Sequence, residues 1–151
     1  MRRFLLAALL LSACNRSVSR EPVRIGSKSD DRSTAIAESV ARRLERAGCV
    51  VERHLRLGDS VTLDRALEGA VIDAYVESHS AALTQILRRK TQPGPEAEAE
   101  VRIAYVKKNL VWAPPVGSRD DAVVFRKSVD ERCRSASRTF MATGSMLQET
   151  R

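Results

Sequence analysis

From Val23 onward, short β-branched runs take turns with apolar stripes at helical spacing. Val23-Arg24-Ile25 alternates apolar and polar positions and meets Gly26, which predicts a short strand entering a tight turn. Ile36, Val40, Leu44 and Ala47 follow at helical spacing, with Ala37 and Ala41 widening the stripe and Arg42, Arg43, Glu45 and Arg46 off it. Gly48 stands where a left-handed helix terminus is wanted. Residues 49–55, β-branched at their start, predict a second strand. Gly58, Asp59 and Ser60 then supply a turn and a helix N-cap, and Leu63, Ala66 and Leu67 carry the next stripe.

Residues 71–76 are mostly apolar and predict a third strand covered on both faces. Residues 80–89 predict a helix with Leu83, Ile86 and Leu87 on one side. Gln92-Pro93-Gly94-Pro95 breaks the chain. A further helix opens on Glu96, Glu98 and Glu100 and closes on Lys107-Lys108, the sign order the helix dipole favours. Leu110-Val111-Trp112 reads as a strand stopped by Pro114-Pro115, and residues 122–125 as another. In residues 128–151 the pattern fails, because Arg132, Arg134, Ser135, Ser137 and Arg138 crowd together without an apolar period. This rhythm predicts an α/β fold with an open parallel sheet flanked by helices. Ligands in such sheets sit beyond the C-terminal strand ends. The loops at residues 26–33, 57–60 and 77–80 are therefore the candidates.

The first residues have a different character. Arg2 and Arg3 precede eight apolar residues and then Ser12-Ala13-Cys14, a run too short to span the ~30 Å of a bilayer core and patterned as a signal peptide. Leu11-Ser12-Ala13-Cys14 resembles the bacterial lipobox, which implies acylation of Cys14 and a membrane anchor without a spanning helix. Residues 1–13 are thus the expected leader and residues 14–22 a polar tether.

Length and composition narrow the rest. The 151 residues suit one core, and 43% hydrophobic with 30% charged residues argues against disorder. A net charge of +7 would suit nucleic acid, but an exported chain with 4% aromatic residues and no basic cluster among stacking aromatics is not expected to bind it. Three cysteines are too few for a disulfide scaffold and lack zinc-site spacing, so no metal is expected. Cys49 and Cys133 either pair in an oxidising compartment or remain free thiols. No sequence feature calls for a cofactor, and no nucleophile, base and orienting group assemble into an enzyme site.

Val23-Arg24-Ile25-Gly26-Ser27-Lys28, Leu57-Gly58-Asp59-Ser60, Ile72-Asp73-Ala74-Tyr75-Val76-Glu77, Ala82-Leu83-Thr84-Gln85-Ile86-Leu87 and Leu110-Val111-Trp112-Ala113-Pro114-Pro115 come in a telling order. Together they resemble substrate-binding proteins of glycine betaine/choline/proline ABC importers, over residues 23–127. The resemblance implies one lobe of a type II periplasmic-binding-protein fold, a small zwitterionic or cationic solute, and an ABC permease with its ATPase as partners. It assigns the ligand wall to Ser27, Lys28, Asp59, Ser60, Glu77, Ser78 and His79.

Quaternary ammonium groups carry no N–H and are held by aromatic faces. The family's third loop usually reads Tyr-Pro-Glu-Tyr-Thr-Gly-Thr, whereas the matching stretch here is Tyr75-Val76-Glu77-Ser78-His79-Ser80-Ala81, with Ser78 at the wall position. Gly117-Ser118-Arg119-Asp120-Asp121 likewise lacks the expected tyrosine. Tyr75 and Trp112 are left between packing and the cleft. The family's chain crosses to a second lobe near residues 122–125, and a second lobe needs on the order of 100 residues. The expectation is a lone first lobe or a reading frame cut or shifted near Cys133. The alternative function is a lobe acting as an envelope interaction module without solute binding.

Overall fold

A computed structural model describes residues 21–90, 94–116 and 120–146. The expected leader, Cys14, the tether up to residue 20 and the loop at residues 117–119 lie outside them. Five strands, β1 (Val23–Lys28), β2 (Val51–Gly58), β3 (Ala74–Ser78), β4 (Leu110–Pro115) and β5 (Asp121–Arg126), form one open sheet in the order β2-β1-β3-β5-β4. The expected α/β architecture with helices on both faces is what is found. One detail differs: β5 enters antiparallel between β3 and β4, while β1 runs parallel to both β2 and β3.

Strand alternation divides the core. On β3 and β5, Ala74, Val76, Val123 and Phe125 face α1 (Asp31–Arg46), meeting Ala37, Val40 and Leu44. Tyr75, Ala122 and Val124 face the other way, toward α2 (Ser60–Glu68) and α4 (Pro95–Lys107), and pack with Leu63, Leu67, Val101 and Tyr105. Burial on both faces explains why β3 reads as a continuous apolar run.

Asp30 starts α1 by accepting the Ser33 N–H at 2.7 Å, and that bond holds its carboxyl below the ordinary carboxylate range. Asp30→Ala is expected to lower stability by about 1 kcal/mol in urea unfolding. A variant as stable as the parent would show that the cap contributes nothing.

Three local expectations are corrected. The third strand begins at Ala74, not at residue 71, because Asp73 is held by arginines at the foot of the sheet and Val71 is left exposed. Pro114 and Pro115 do not stop the fourth strand. They lie inside β4, which is the sheet's edge and carries a register shift between Trp112 and Pro115, so a missing N–H is tolerated. Residues 128–146 are not irregular: α5 (Val129–Arg132) and α6 (Ala136–Met146) return across the α1 face, where Ala136 and Phe140 are fully buried. The Phe140 ring lies 4.7 Å from that of Phe125. Cys49 and Cys133 form a disulfide that ties the turn after α1 to the turn before α6.

Candidate functional site

The C-terminal ends of β1, β2 and β3 share one edge of the sheet. Gly26 lies opposite Tyr75, and Lys28 lies opposite Gly58. Arg56 adopts a left-handed φ of 56°, where its N–H reaches the Ser27 hydroxyl at 2.9 Å and the Gly58 carbonyl accepts the Ser29 N–H. The fully buried Ser27 also donates to the Lys28 carbonyl, so its hydroxyl knits the first two loops together.

Lys28 Nζ lies 2.8 Å from Oε1 of Glu77, which is fully buried and also accepts the Ser78 N–H at 2.8 Å. A buried carboxylate needs such partners to offset desolvation. The other oxygen, Oε2, has none among the described residues. Asp59 caps α2 through the Thr62 N–H, a bond that keeps its carboxyl acidic, and Ser60 is buried as the first residue of that helix. Ser78 caps the helical turn α3 (His79–Ala81), which widens into a π-helical turn at Ala82–Ile86.

His79 is buried. Its backbone N–H donates to the Asp120 carbonyl at 2.9 Å, and Nδ1 lies 3.0 Å from the same oxygen. Only a protonated nitrogen can bond a carbonyl, so Nδ1 carries a proton, while Nε2, 4.0 Å from Glu98 Oε1, makes no hydrogen bond among the described residues. The ring lies 4.8 Å from that of Trp112.

Sequence reasoning missed Asp120 as an organiser. Its carboxylate accepts the Ser80 hydroxyl at 2.6 Å and thereby fixes the β5 entry against the third loop. Two further ion pairs, Arg32–Asp121 and Arg56–Asp31, also escaped it. Such partners lie far apart in sequence and have no local signature. By contrast Asp73 stands just before β3, at the end opposite Glu77.

The edge is acidic. Asp30, Asp31, Asp59, Glu77, Asp120 and Asp121 surround Lys28, Arg32 and Arg56, all three of which are paired with carboxylates. The aromatic side chains lie beneath it: Tyr75 and Tyr105 are fully buried and Trp112 is 5% exposed. Tyr75 therefore packs in the core instead of lining a cleft. Burial drives both phenols well above their ordinary pKa. Among the described residues no cluster of His, Cys, Asp and Glu could hold a metal ion, and no helix is long and apolar enough to cross a membrane.

The sequence profile of the substrate-binding domain of ABC-type glycine betaine transport systems matches residues 21–135. The chain belongs to this family. The match runs beyond residue 127 and through Cys133, covering part of the segment that sequence patterning left unassigned. Two solved structures share the fold of this substrate-binding domain: apo YehZ from Escherichia coli, at a TM-score of 0.59, and a glycine betaine/carnitine/choline ABC transporter protein, at 0.57. Each is 19% identical over 64% of this chain. The chain spans only 36% and 38% of their respective lengths. No curated protein sequence matches it.

Proposed function

We propose that this chain supplies one wall of a solute-binding cleft for an ABC importer of glycine betaine- or choline-like osmolytes, held to the extracytoplasmic membrane face through an acylated Cys14. The solute is a small zwitterion or cation, the partners are a permease and its ATPase, and the protein itself makes or breaks no bond. The family match over residues 21–135 carries the reading. The shared strand edge supports it: Ser27, Lys28, Asp59, Ser60, Glu77, Ser78 and His79 all belong to loops that meet there.

On this reading Lys28, Ser78 and Asp59 face the solute, while buried Ser27, Ser60, Glu77 and His79 hold the loops in place. The acidic edge favours the cationic end of the ligand. With no aromatic face exposed there among the described residues, this wall contributes charge more than cation–π contact.

Calorimetry on the full chain with glycine betaine, choline and carnitine tests the proposal. One wall alone is expected to give a dissociation constant near ~1 mM, and Ser78→Arg should abolish the heat by filling the edge. Absence of saturable heat with all three solutes would sink it and favour a surface-acting module.

A further inference from the structure

The foot of the sheet, opposite the acidic edge, carries the opposite charge. A concavity of about 520 Å³ opens there between the turn after α1 and the start of α6, lined by Ala47, Gly48, Glu131, Arg132, Arg134 and Arg138 among others. Arg134 and Arg138 are exposed, and no carboxylate pairs with either among the described residues. Arg132 is mostly covered and anchored on Asp73, so it sets the back of the concavity while the other two arginines form its rim. Arg138 also lies in the first turn of α6, where the helix dipole adds to the positive field.

The chain arrives at this same end. Arg132 Nη1 donates to the Pro22 carbonyl at 3.3 Å, immediately before β1. Residues 14–22 can reach no more than about 30 Å at full extension. An acyl anchor at Cys14 therefore keeps Pro22, and the Arg132 side chain bonded to it, within about 30 Å of the bilayer, while the strand edge sits at the far end of the sheet. Juxtamembrane arginines are drawn to anionic lipid surfaces.

We propose that the Arg132–Arg134–Arg138 concavity is a docking face for the phosphate headgroups of anionic phospholipids, holding the foot of the lobe at the membrane when no permease is engaged. This rests on the anchoring read at Cys14. Each arginine near an anionic surface strengthens association about fivefold. Reversing both rim charges should therefore depopulate the docked state at least about thirtyfold.

The test uses the full acylated chain in phosphatidylglycerol-rich vesicles and in pure phosphatidylcholine vesicles, read by hydrogen exchange of the backbone amides. Residues 131–138 are expected to be protected only in the anionic vesicles, and Arg134→Glu/Arg138→Glu to lose that protection while residues 77–80 exchange alike in every sample. Equal exchange in both vesicle types, or an unaffected double variant, overturns the docking face while leaving the anchor intact. A chain that associates with neither vesicle overturns the anchor, and the docking face with it. Protection of residues 131–138 by millimolar inorganic phosphate in the absence of vesicles, with none added by anionic vesicles, overturns the lipid as the occupant in favour of the free anion.

Discussion

Asp73→Asn is expected to lower unfolding free energy by about 3–5 kcal/mol, the range for breaking a buried charge cluster by removing one partner. Asp73 is fully buried and receives the Arg24 N–H at 2.8 Å, the Arg24 side chain at 3.1 Å, and Arg132 through both of its carboxylate oxygens. Asparagine keeps the shape but leaves two guanidinium groups facing an amide. Thermal midpoints should fall by roughly 10–15 °C.

Acid titration separates charge from shape. Burial alone would raise the Asp73 pKa, but the bonds from Arg132 and Arg24 outweigh it and hold the group below the ordinary carboxylate value. A depressed folded-state pKa contributes stability that is fully present above the unfolded value near about 4 and is lost as pH falls through the lower, folded value. The native chain should therefore weaken more steeply than the asparagine variant in that acid window. Parallel urea midpoints for the two proteins from neutral pH down through it would refute the assignment.

Opening the Cys49–Cys133 disulfide comes second, with an expected loss of about 2–5 kcal/mol. The bridge joins positions 84 residues apart with Cα atoms separated by 5.4 Å. Without it, the unfolded chain regains the freedom of that long loop, and α5 and α6 lose their covalent tie to the α1–β2 turn. Guanidinium unfolding with and without reductant should show the loss in the native protein and none in Cys49→Ala/Cys133→Ala. A reductant effect of equal size in the double variant would assign it to something else.

The elements that were legible in sequence are those with both a stripe and a cap. α1 shows an apolar stripe closed by Gly48 and α2 a stripe opened by Asp59, so in each two independent signals coincide. Among the described side chains of α6 only Ala136 and Phe140 mark a buried face, set among serines and arginines that look solvated. Arg132 likewise reads as surface until Asp73 is found beside it.

The direction of β5 could not be read, since alternation tells which face is buried but not which way a strand runs. At the candidate site, glycine, aspartate and serine marked the loops because turns and caps need those residue types. The pairing of Lys28 with Glu77 was hidden, because 49 residues separate them and nothing local links their charges.

The place of β5 between β3 and β4 has a consequence for biogenesis. β5, the fifth strand in chain order, fills an interior slot, so β3 and β4 have no common neighbour until residues 121–126 have emerged. Closure of this sheet waits on residues 121–126, and its long-range pairing slows folding.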